Sequence, residues 1–204
     1  MSTITSEIQV AKLACDLLKE TPLSSWDDDT PIGRWMKRNF KIGRNTVMAQ
    51  SPWNFAIRRE ILNPAGTKPA FNWSTQYVIP SDVLRVLPLR YGGTLNGSLI
   101  DWEREGNMIL TNFTGPLKAR FIFEQEDATT WSPLFVTALS TLLGLWLSQW
   151  LTGKNSFTQI MQQMHNDAMT SAVFANGAEG IASNTTGTYY DDVRYGSDYI
   201  NYRR

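Results

Sequence analysis

From Trp131 to Leu151 the chain runs without a charged residue, and no other stretch limits its possible folds so strongly. Its start, Ser132-Pro133, pairs a hydroxyl cap with proline at the first helical position, and Gly153 stands where such a helix is expected to stop. The spacing therefore predicts a helix over 133–151. That helix is long and apolar enough to raise the question of a membrane span. Pro133, Thr137, Ser140, Thr141, Ser148 and Gln149 dilute it, and Glu124, Glu126 and Asp127 precede it where a basic anchor would stand. The reading is a helix of a bundle, buried on nearly all sides, with no membrane partner. One subunit can hardly cover such a helix, so a subunit interface is expected.

Other helices flank it. Ile4, Ile8, Ala11, Cys15 and Leu18 fall at helical spacing over 3–19, with Ser2 or Thr3 as cap and Thr21-Pro22 as the end. Asp27-Asp28-Asp29 leads into Thr30-Pro31, a second cap-plus-proline start, with three carboxylates near the positive end of the helix dipole. This helix should reach Ala49, with Ile32, Trp35, Met36, Phe40, Gly43 and Val47 as its apolar face. Asn155 or Ser156 starts a last helix to about Ala175, with Phe157, Ile160, Met161, Met164, Ala168, Ala172 and Ala175 inward. Between the helical segments the pattern changes to short strand-like pieces punctuated by Gly and Pro. The clearest are a hairpin over 99–113 turning at Gly106-Asn107, and a strand from Leu117 to Phe123. The fold class is α+β: residues 1–52 and 131–175 form a helical bundle, 53–130 a β-rich module, and 176–204 an extended arm.

Composition removes several function classes. One cysteine, Cys15, excludes an internal disulfide and reads as a packed thiol in a reducing compartment. With one histidine, His165, and one cysteine, metal centres built on those ligands are not expected. A histidine-dependent nucleophilic site has only that residue to use, and His165 reads as a core or interface side chain. No phosphate loop or dinucleotide fingerprint appears, and nothing near Asp191-Asp192 or Glu103 and Glu105 favours acid–base work. No catalytic residue, cofactor or metal is expected. The start of the chain has no basic region followed by an apolar run, so no signal peptide is read there. The eight tryptophans serve either a Trp-rich core or interfaces.

Two features suggest interaction surfaces. Arg34, Lys37, Arg38, Lys41 and Arg44 form a basic stripe along the second helix. It is either a ring- or channel-facing surface for DNA phosphates, or a solvated or ion-paired face that meets Asp27 to Asp29 of a neighbouring subunit. A net charge of zero argues against a wholly basic nucleic-acid-binding chain. The end passes through Gly, Ser, Thr and Asn into Tyr189, Tyr190, Arg194, Tyr195, Tyr199, Tyr202, Arg203 and Arg204. Tyr and Arg are interface hot-spot residues, so this arm reads as a segment that orders on a partner.

Several motifs recur in a known order. After the first amphipathic helix come Asp27-Asp28-Asp29, then Ser51-Pro52-Trp53-Asn54-Phe55-Ala56. Next are Tyr77-Val78-Ile79-Pro80-Ser81-Asp82-Val83-Leu84-Arg85-Val86, Ala119-Arg120-Phe121-Ile122, and Pro133-Leu134-Phe135. Over about residues 4–175 the chain resembles the tail tubular protein A family, the head-to-tail adaptors of short-tailed bacteriophages (podoviruses). It departs from that pattern at Trp146 and Trp150, where small aliphatic residues are usual. The resemblance implies a non-enzymatic structural subunit of the virion tail, made in the host cytoplasm. It implies a self-assembled ring of twelve copies joining the portal protein to the tail nozzle protein, with double-stranded DNA passing through the centre during ejection. The arm would reach a portal subunit. Trp53, Phe55 and Tyr77 read as structural anchors, with Asp82 beside Arg85. The other readings are a virion assembly or scaffold protein, and a nucleic-acid-binding module using the basic stripe.

Overall fold

The structure, a computed structural model, describes residues 6–152 and 155–179. It contains four α-helices and two small antiparallel sheets, an α+β fold with helices on both sides of a β insert, as the sequence predicts. The described chain forms two compact units. One combines the segment ending at Phe55 with the segment starting at Gln125, and the other is Ala56–Glu124. The arm beyond residue 179 lies outside the described residues, as do Ser2, Thr3 and Gly153.

The helical unit comprises α1 (Glu7–Leu17), α2 (Pro31–Gln50), α3 (Pro133–Thr152) and α4 (Asn155–Ala178). Ser6 precedes α1, and its backbone N–H donates to the Gln9 side chain at 3.3 Å. The buried stripe of α1 is Val10, Ala11, Ala14 and Cys15. Thr30 caps α2 by accepting from the Gly33 amide at 3.0 Å, and Ser132 accepts from the Phe135 amide at 3.2 Å at the start of α3. The uncharged α3 packs against α1, α2 and α4. Phe135, Leu139, Leu143 and Leu147 are fully buried along it, each contributing about 1.5–3 kcal/mol. By length and composition this helix can span a membrane; here about two thirds of it is buried inside its unit. At Gly43 the two helices α2 and α3 come so close that a Cβ would meet Leu143 at 2.8 Å, with Trp146 next to it. Trp150 lies against Trp35, ring centroids 6.2 Å apart.

The unit boundary falls a few residues from the positions read in the sequence. Residues 53–55 and 125–130 belong with the helices, because Trp53 is tied there. Its ring is wholly buried, its indole N–H donates to the Val47 carbonyl at 2.8 Å, and it meets Phe135 edge-on at 5.1 Å. Helix α4 also runs past Ala175. Buried Asn176 donates to the Pro52 carbonyl at 2.9 Å and accepts from the Asn54 amide at 3.0 Å, so the last turn is held by the chain leaving α2.

The second unit holds β1 (Ile57–Leu62), β2 (Thr75–Val78), β3 (Val83–Val86), β4 (Trp102–Glu105), β5 (Met108–Thr111) and β6 (Leu117–Phe123). One sheet has the order β1-β6-β3 and the other β2-β5-β4. The β4–β5 hairpin turns at Gly106, whose φ of +58° suits glycine. The core joins both sheets through Tyr77, Ile79, Val86, Leu89, Ile109, Leu117 and Phe121. Tyr77 is wholly buried, with its hydroxyl near the carbonyls of Gly115 (2.8 Å) and Phe113 (3.1 Å). Asp82, expected beside Arg85, is held by Arg58, whose guanidinium lies over the Phe123 ring.

Replacing Trp53 removes a buried ring and a buried hydrogen bond together. Trp53→Ala is expected to cost about 3–5 kcal/mol in denaturant unfolding, whereas an unchanged midpoint would show that the ring is not packed as described.

Candidate interaction surfaces

The basic stripe of α2 is largely answered within its own unit. Arg34 pairs with Asp29 at 2.5 Å and Lys37 with Asp27 at 3.1 Å. Lys41 reaches Glu126 at 3.6 Å. Arg38 is exposed. The aspartates that the sequence set before this helix thus fold back on it in the same chain. All these pairs are solvated, so each contributes little to stability.

Arg44 departs from the expectation of a surface cation. Its side chain is 2% exposed, and its guanidinium sits between Glu7 of α1 (2.5 Å) and Glu126, just before α3 (3.1 Å). The reason is its position on α2: Gly43, Arg44, Val47 and Met48 all face inward, so the long side chain has nowhere to emerge. A guanidinium there needs carboxylates, and two segments distant in sequence supply them. Sequence spacing gave no sign of this, since Arg44 continues the periodicity of the exposed cations.

The predicted inner face of α4 holds at Met161 and Ala172 and fails at Ile160 and Met164. Met161, His165, Ala172 and Asn176 are buried, while Ile160 and Met164 are 57% and 39% exposed. Ile160, Met164 and Phe174, the last 68% exposed, stand at i, i+4 and i+14, which places them on one outer stripe. Leu134 and Trp150 of α3 and Ile42 of α2 are further exposed apolar residues of this unit. Side chains of residues 152–157, Phe157 among them, lie outside the described set.

His165 is buried beside Met161 on the inner face. Its Nδ1 lies 3.2 Å from both the Ala138 carbonyl and the Thr141 hydroxyl on α3. The Thr141 hydroxyl in turn donates within its own helix, to Thr137 or Ala138. Nδ1–H of a neutral imidazole therefore serves as donor to α3. Burial lowers the pKa of His165 below its usual 6.5, opposed by the bond to Ala138. Cys15, buried on α1, is pushed up to about 11 by burial and by the neighbouring Asp16, which leaves a protonated, unreactive thiol at neutral pH. Asp127 lies below the usual carboxylate range because Thr129 donates to it from both side chain and backbone.

The arm residues Tyr189, Tyr190, Arg194, Tyr195, Tyr199, Tyr202, Arg203 and Arg204 lie outside the described residues. Among the described residues no group of three or more His, Cys, Asp or Glu side chains is arranged to hold a metal ion. No family model matches the chain, and no curated protein matches it.

The single histidine makes its titration easy to isolate. The unfolded chain takes up a proton near pH 6.5 and the folded chain only at lower pH, so stability is lost as pH falls through that window. Unfolding midpoints are expected to drop between about pH 7 and 5.5, and His165→Gln is expected to flatten that dependence. An imidazole resonance titrating at or above 6.5 in the folded protein would contradict the buried neutral state.

Proposed function

We propose that this chain is a structural adaptor subunit of a short-tailed phage tail, a ring component joining the portal to the nozzle and letting genomic DNA pass. The ordered motifs from Asp27 to Phe135 that resemble the tail tubular protein A family give the reading its content. One structural observation carries it: α4 is apolar on two faces. One face packs on α3 through Met161, His165 and Ala172, and the other exposes Ile160, Met164 and Phe174. A helix with a second apolar stripe suits a repeated subunit contact, since closed rings are built from complementary patches on each copy. The exposed Leu134 and Trp150 of α3 fit the same role.

In this reading twelve copies close the ring, and the terminal arm from about residue 181 docks on the portal. The role is mechanical and uses no cofactor. The rival nucleic-acid module on α2 is disfavoured, because Arg34, Lys37, Lys41 and Arg44 are already engaged by carboxylates. A scaffold or assembly protein would use the same apolar stripe but would be missing from mature particles.

Electron microscopy of the purified chain with and without portal rings tests this. Uniform rings are expected only on portals, and a chain lacking residues 181–204 is expected to keep its melting behaviour but lose portal capture. Failure of the full chain to associate with any portal, with particles lacking the protein, would favour the scaffold reading.

A further inference from the structure

The outer face of α4 carries a heptad pattern of its own. Ile160, Met164, Asp167, Ser171, Phe174 and Ala178 follow one another at alternating steps of four and three residues, and all six are exposed. Such spacing keeps side chains on one seam, the a and d positions through which helices pack on each other. At about 100° per residue the six stay within a strip roughly 80° wide. The seam lies beside the buried face of Met161, His165 and Ala172, so packing on α3 leaves it open.

This seam is its own complement. Two copies laid antiparallel, with a two-fold axis at the level of Met169, set Ile160 against Ala178, Met164 against Phe174 and Asp167 against Ser171. Symmetry makes each pair twice. A branched aliphatic chain then meets a small one, a thioether meets an aromatic ring, and a carboxylate meets a hydroxyl donor. A parallel pair would instead bring Asp167 onto Asp167 and Phe174 onto Phe174, and leave a gap between the two Ala178 methyl groups. Asp167 is the one Asp, Glu, Lys or Arg within α4, and it accepts from Gln163 of its own helix at 2.8 Å. In the antiparallel pair the two carboxylates stand about 6 Å apart along the axis. Their repulsion weakens the pair without blocking it.

We propose that free copies of this chain pair through α4 as an antiparallel two-fold dimer. The contact runs about 27 Å along each helix. Its area, about 1,000 Å2 in total, falls at the small end of specific interfaces and suits a reversible pair. An isologous contact is satisfied by two copies, so the pair does not grow further. The inference does not rest on the adaptor reading. Where both hold, the pair opens before α4 enters a ring contact.

Sedimentation of the full chain over about 1–100 μM tests the proposal. A monomer–dimer equilibrium with no larger species is expected. M164Q/F174Q changes two exposed side chains, so it is expected to keep the melt while weakening the dimer roughly tenfold or more. D167N is expected to tighten it about threefold, by removing the repulsion near the axis. Register is read by oxidative cross-linking. I160C mixed with A178C is expected to form a disulfide between chains, whereas I160C alone is not, because its two copies would lie about 27 Å apart. Cys15 is buried and stays out of the exchange. A wild-type chain that remains monomeric throughout, a dimer indifferent to M164Q/F174Q, or cross-linking of I160C alone would overturn the proposal. So would a dimer that appears only once residues 181–204 are removed, since the seam would then be covered by the chain's own arm. A chain that pairs as described yet never associates with portals would leave this proposal standing and remove the adaptor reading.

Discussion

The guanidinium of Arg44, 2% exposed between Glu7 and Glu126, sets the terms for the helical unit. A charge taken out of water at that depth is tolerable only with counter-charges in hydrogen-bonding contact. Here they come from the start of α1 and from the segment that enters α3. Two helices before the β insert and one segment after it must therefore come together around one side chain. The apolar packing of α3 contributes more free energy, but apolar faces can slide; a buried cation with two named partners fixes the register. His165 and Asn176 do the same on the other side. One joins α4 to α3 through Ala138 and Thr141, and the other joins α4 to the chain leaving α2.

This arrangement decides how charge is distributed. Asp27, Asp29 and Glu126 answer the cations of α2, so the most basic-looking segment of the sequence is internally neutralised. In a chain of zero net charge the helical unit thus answers its own cations while exposing apolar side chains.

Much of the fold was legible because it rests on local rules. Thr30-Pro31 and Ser132-Pro133 mark the starts of α2 and α3, and alternation in Leu117–Phe123 marks β6. The α+β class followed from the switch between those patterns. The inner face of α4 was read correctly at Met161 and Ala172 but extended wrongly to Ile160 and Met164, which are more apolar than the buried His165. The buried polar bonds of His165 outweigh that difference, and hydrophobic periodicity does not register them. Arg44 was misread for a related reason: its burial depends on Glu7 and Glu126, which spacing along α2 cannot reveal. The pairing of Arg59 with Arg120 was invisible to any local reading, because the two become neighbours only through strand register.

The central claim is that Arg44 is an internal tie of the helical unit and not a free surface cation. A double-mutant cycle between Arg44→Met and Glu7→Gln, followed by denaturant unfolding, measures that tie directly. The account predicts a coupling of about 1–3 kcal/mol between the two positions. Effects that simply add, within about 0.5 kcal/mol, would contradict it and return Arg44 to the surface stripe.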